Sequence, residues 1–156
     1  MQPSIIRTKD RPELAQITAE WRWNAFMQDS IYTRADAVDF DVQSASSEDL
    51  IPTVLVLLEE QTPAGMVTLC LNDVEHRPDL NPWLAGLYVE PEFRGKGYGS
   101  RLVDELEALA RSAGENRLYL YTPNAEGFYM KAGWETFETF EEQKRLNSIM
   151  RKDLDP

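Results

Sequence analysis

The segment that most restricts the fold runs from 83 to 113. It begins as an apolar, strand-like stretch, passes through Arg94, Gly95, Lys96, Gly97, Tyr98, Gly99 and Ser100, and continues as a stripe of Leu102, Leu106, Leu109 and Ala113. Val103 and Ala110 widen the stripe and Gly114 follows it, so helical spacing and a glycine stop predict an amphipathic helix over 97–113. Such a helix has one apolar face and needs a sheet or another helix to cover it. Two apolar runs, 53–58 and 66–71, flank a turn over 61–65 containing Pro63 and Gly65, and this spacing predicts an antiparallel hairpin.

The remaining pattern supplies the other elements. Residues 4–7 read as a first strand, and 12–27 as a helix opened by a capping Asp10 and by Pro12 in its first turn. A second helix is expected over 33–42, then a polar surface loop over 43–49 and a polar connection over 72–82. Residues 117–122 read as a strand. Asn124 is expected to cap a short helix that Gly133 ends, ahead of strands at 134–140 and 149–152. The acidic run 138–142 reads as a solvated turn. Strand, helix, strand and helix in succession after a hairpin predict one α/β domain over 1–156, with a mixed sheet and helices on both faces.

With 156 residues the chain is long enough to bury about two-thirds of its unfolded surface. No apolar run approaches the roughly 18 residues of a membrane span, and a single cysteine, Cys70, excludes an internal disulfide. The N-terminus lacks the basic start and apolar run of a secretory signal, so a reducing cytoplasm is the expected location. The net charge of −11 disfavours nucleic acid and anionic membranes as partners, and is compatible with a cationic substrate.

Glycines between a strand and a helix let backbone N–H groups close on a phosphate, helped by the helix N-terminus. The dinucleotide fingerprint fits poorly, because counting from Gly95 and Gly97 its third glycine position holds Ser100. A P-loop fails, because Gly95 and Lys96 are followed by Gly97 and not by Ser or Thr. Arg94, Gly97 and Gly99 instead fit the signature Arg/Gln-x-x-Gly-x-Gly/Ala, and the segment resembles the acetyl-CoA-binding motif of the GNAT superfamily of N-acetyltransferases. Residues 87–93 are similar to that family's strand and turn, and 127–134 to its late helix-to-strand segment.

The resemblance implies a single-domain, mixed but mostly antiparallel sheet flanked by helices, and transfer of an acetyl group from acetyl-CoA to an amine; the alternative is a CoA-sensing or partner-binding domain that keeps the cofactor turn without turnover. It implies that main-chain groups of Leu87, Tyr88 and Val89 pair with the pantetheine arm. Arg94, Gly95, Lys96, Gly97, Tyr98, Gly99 and Ser100 would then hold the pyrophosphate, Asn124 would offer an amide, and Tyr129 would face the thioester sulfur as general acid. The acceptor is an amine of a small molecule, peptide or protein, and a homodimer is an open assembly. No metal is implied. Carboxylates near strand ends, Glu90, Asp73 and Glu75, and the sole histidine, His76, are the choices for a base, with nothing in the sequence selecting among them. Trp21, Trp23, Phe26 and Trp83 form either core or an aromatic wall.

Overall fold

The computed structural model describes residues 2–142 and 144–154. Seven strands form one sheet: β1 (Ser4–Arg7), β2 (Thr53–Glu59), β3 (Thr62–Cys70), β4 (Trp83–Val89), β5 (Arg117–Thr122), β6 (Glu135–Glu142) and β7 (Arg145–Asp153). Their order across it is β1-β2-β3-β4-β5-β7-β6, and every pairing is antiparallel except β4 with β5. The helices are α1 (Ala15–Arg22), α2 (Arg34–Ala45), α3 (Tyr98–Ser112) and α4 (Glu126–Lys131). The mixed, mostly antiparallel sheet anticipated from sequence is therefore present.

Alternation along the strands distributes the helices to two faces. Val54, Val56 and Leu58 of β2 pack with Leu14, Ile17 and Trp21 on the α1–α2 side. Leu55 and Leu57 join Leu102, Val103 and Leu106 of α3 on the other. Beyond β4 the α1–α2 side is covered by Val74 and Leu80 of the β3–β4 connection, against Trp83, Tyr119, Tyr121, Phe137 and Phe140.

Several local expectations are corrected. The hairpin turns on two residues, Glu60 and Gln61, both at positive φ (50 and 73), so the segment read as a loop, 62–65, belongs to β3. Positive φ at both positions matches the right-handed twist of the strands, and Pro63 falls where the register shifts opposite Leu57 and Leu58. Asp10 does not cap the first helix: Arg11 holds that place without a side-chain bond, and Pro12 opens a short 3₁₀ turn. The helix from 12 ends in a π-helical turn, Trp23–Met27. α2 reaches Ala45 through residues assigned to a loop, because Ser44 and Ala45 are buried and Thr33 and Asp36 close a capping box at its start. Glu138, Glu141 and Glu142 lie in edge strand β6, where charge on an open face is tolerated and blocks edge pairing. Glu138 is also bonded to Arg77.

Gly65 admits no side chain, because a Cβ there would lie 2.7 Å from the Tyr88 carbonyl oxygen. Gly65→Ala is expected to destabilise the fold by about 1–3 kcal/mol, read as a fall in thermal midpoint.

Candidate functional site

The site is built where β4 leaves the sheet. β4 and β5 pair at Trp83 and Tyr119 alone, with the Tyr119 N–H donating to the Pro82 carbonyl at 3.1 Å, and the strands diverge beyond. A bulge accompanies the divergence. Met66 faces Tyr88 and Thr68 faces Ala85, so β4 carries one residue more than β3 between these pairs. Gly86, at φ +59, lies within the surplus, and positive φ in a bulge is a glycine conformation.

Past the bulge, the Glu90 N–H donates to the Ala64 carbonyl at 2.8 Å, and Tyr88 is paired with Met66. Alternation turns the intervening Val89 toward the gap left by β5. Val89 and Leu87 are thus placed beside an unpaired strand edge, whereas the Tyr88 carbonyl is directed at Gly65. The Val89 carbonyl accepts from Arg94 Nε at 2.8 Å, and the Arg94 guanidinium lies over the Tyr88 ring at 5.8 Å.

The glycine-rich turn closes the open end. Gly95 and Gly97 have φ of +83 and +79, and Gly97 is the N-cap of α3. Val89, Phe93, Arg94, Gly95, Gly97, Tyr98, Gly99, Ser100 and Phe128 line a pocket of about 190 Å³ at this helix start. Of the residues expected from sequence, Leu87, Tyr88, Lys96, Asn124 and Tyr129 are not among its lining residues. The Lys96 ammonium is held by Glu59 at 2.8 Å, and the Tyr98 hydroxyl donates to the same carboxylate oxygen. These two donors hold the Glu59 carboxyl below its usual range.

Tyr129 is buried beneath the pocket wall, its ring 5.0 Å from Phe128 and 6.1 Å from Trp134. Burial alone pushes its phenol up to about 12. Asn124 is exposed and does not cap α4. Ala125 holds the N-cap position without a side-chain bond, and Thr122 Oγ1 accepts from the N–H groups of Ala125 at 3.0 Å and Asn124 at 3.4 Å in the turn ahead of it. In sequence Thr122 reads simply as the last residue of a strand.

On the α1–α2 side of the fork the structure separates the carboxylates that sequence left equivalent. Glu90 accepts from the Tyr88 hydroxyl at 2.7 Å, and Glu75 is exposed. Asp73 is likewise exposed at the surface, but protein packs closely around its carboxyl. Burial pushes its carboxyl up to about 7, opposed by the charge of Arg22 and reinforced by that of Glu142. Tyr121 is raised above its ordinary value by burial and then by Asp73 and Glu142, and Cys70 by burial and then by Asp73, so these groups share one neighbourhood. Phe140 borders it, 5.7 Å from Tyr121 and 5.0 Å from His76. Trp21 and Trp83 are core residues, not an aromatic wall, while Phe26 is half exposed. Among the described residues no group of His, Cys, Asp and Glu is placed to hold a metal, and no helix is long and apolar enough to cross a membrane.

A forked parallel strand pair closed by a glycine-rich helix start is also the setting in which a family match falls. Residues 14–134 match the Acetyltransferase (GNAT) family, and the chain belongs to it. N-alpha-acetyltransferase 80 of Mus musculus is 31% identical over 96 residues, covering 59% of this chain and 31% of that protein. The chain therefore spans less than a third of the length of this curated relative. An aminoglycoside 6'-N-acetyltransferase complexed with coenzyme A superposes with a TM-score of 0.76 at 16% identity, over 100% of this chain and 98% of that one. A Salmonella typhimurium protein determined with its cofactor acetyl-CoA does so with a TM-score of 0.73 at 17% identity, over 100% and 96%. At these identities the likeness is one of fold.

Proposed function

We propose that this chain transfers an acetyl group from acetyl-CoA to an amine of a small molecule, peptide or protein. The observation carrying this reading is the fork itself: an unpaired strand edge at Val89 leading into a pocket walled by glycines at a helix N-terminus. Open space at Gly95 and Gly97, where an added Cβ would meet nothing within 4 Å, fits a bulky pyrophosphate group. N–H groups of the turn and the Ser100 hydroxyl would hold the phosphates. Leu87 and Val89 would bind the pantetheine arm as an added strand does. Tyr88 supports that edge from the β3 side, and Asn124 is left exposed for an amide contact. Bound acetyl-CoA supplies an acyl carbon activated as a thioester.

The chain's own groups would handle the protons. An alkylammonium must lose a proton to become nucleophilic, and Asp73, raised to about 7, is matched to take it near neutral pH. The Tyr129 phenol keeps its proton throughout that range and would donate to the departing sulfur. At about 12 it is a weaker acid than an ordinary thiol of about 8.5. The transfer is favoured only where the sulfur shares the desolvated surroundings that raised the phenol.

Glu59 holds Lys96 away from the phosphate pocket, so Glu59→Gln is expected to tighten CoA binding about two- to fivefold, with the gain shrinking at high salt. Calorimetric titration at two ionic strengths reads this directly. The function is tested by mixing the purified protein with acetyl-CoA and a panel of amines. Release of CoA thiol with acetylated amine supports it, whereas tight CoA binding with no transfer to any amine contradicts it.

A further inference from the structure

We propose that Arg22 is a positioning residue for acetyl transfer, its guanidinium propping the β4 bulge at Gly86 from which the strand edge of the fork departs. The inference rests on the acetyltransferase reading above.

Arg22 ends α1 and is 8% exposed. Its Nε donates to Asp41 Oδ2 at 2.9 Å, and its Nη2 donates to Asp41 Oδ1 at 3.0 Å and to Thr68 Oγ1 at 2.8 Å. Asp41, on α2, is fully buried and also accepts from Thr18 Oγ1 at 2.9 Å. The Phe40 ring lies 4.8 Å from the guanidinium carbon. A planar fork held bidentately, with a third bond to β3, has little freedom to move.

Nη1 makes none of these bonds. A Cβ on Gly86 would stand 2.7 Å from it, closer than real side chains approach. Among the described residues the sealed side-chain atoms without a partner are Arg7 Nε and Thr8 Oγ1, so Nη1 opens onto accessible space. The guanidinium thus occupies the volume beside the bulge from which β4 departs from β5. Replacing both charges of such a pair by apolar groups is often neutral or stabilising, whereas removing one leaves an uncompensated buried charge, so the pair is best tested as a unit.

The placement has an electrostatic consequence. The charged and titratable groups acting on Asp73 are Arg22 from α1 and Glu142 from β6, while Cys70 and Tyr121 are the titratable neighbours that feel its charge. Arg22 is the sole cation in that set, and it lowers the carboxyl that burial and Glu142 raise. One side chain therefore holds the strand edge and moderates the Asp73 carboxylate.

The test compares wild type with R22M/D41L, which removes both buried charges, and with Thr68→Val, which removes one anchor and leaves the ion pair. CoA affinity, kcat with an acceptor from the amine panel, and the acidic midpoint of the kcat profile are measured for each. R22M/D41L is expected to keep CoA affinity within about twofold, to lose about 10²-fold in kcat through misplacement of the strand edge, and to shift the midpoint upward. Thr68→Val is expected to lose kcat by a smaller factor with an unchanged midpoint. Unaltered kcat and midpoint in a folded R22M/D41L overturn the proposal; should that variant not fold, unaltered kcat in Thr68→Val overturns it. A wild type that binds no CoA, or acetylates no amine, instead sinks the acetyltransferase reading on which the proposal rests.

Discussion

Asp73→Asn is expected to lower kcat by about 10²- to 10⁴-fold, the range for loss of a positioned base, while CoA affinity is unchanged. In the wild type the base works only when ionised. With its carboxyl at about 7, kcat should fall tenfold per pH unit below that value and level off above it. The variant should lose this acidic limb. Stability should move the other way. A carboxyl raised in the folded state binds its proton more tightly there than in the unfolded chain, so its contribution is present below about 4, the unfolded value, and lost as pH rises through about 7. Asp73→Asn should therefore raise the thermal midpoint at pH 8 and leave it nearly unchanged at pH 4. Reduced activity with increased stability at alkaline pH would mark a group retained for chemistry and not for folding.

Tyr129→Phe removes one oxygen and keeps the ring against Phe128 and Trp134. The fold should tolerate it, because burial is the sole cause acting on the phenol and no charge or side-chain bond depends on it. Loss of the proton donor is expected to lower kcat by about 10²-fold or more with KM for acetyl-CoA unchanged. Steady-state kinetics with varied acetyl-CoA separates the two parameters. Equal kcat in the variant would remove Tyr129 from the chemistry and leave it as packing.

The parts legible from sequence were those governed by neighbours in the chain. The turn at 94–100, the stripe of α3 and its glycine stop are local, and the structure has Gly97 as N-cap and Gly114 at φ +85 just past the helix. Structure departs from sequence expectation where a residue's surroundings, and not its type, decide. The glutamates of 138–142 read as a turn because charge indicates solvation, yet an edge strand is solvated along one face and one side. Ser44 reads as loop, but its hydroxyl donates to the Phe40 carbonyl at 2.8 Å within a helix. Asp73 was one of several equivalent carboxylates until Arg22, Tyr121 and Glu142, from three separate elements, were brought around it. The ion pair between Arg22 and Asp41 likewise joins two helices, and no spacing rule connects them. Glu59 lies 37 residues before Lys96 and appeared only as the end of a strand.

The claim on which the account depends is that the fork and its glycine turn hold coenzyme A. Calorimetric titration of the purified chain with CoA, NAD and ATP in parallel tests it most directly. Saturable one-to-one binding of CoA, weakened by salt and not matched by NAD or ATP, is the predicted result; binding of NAD or ATP without CoA would contradict it.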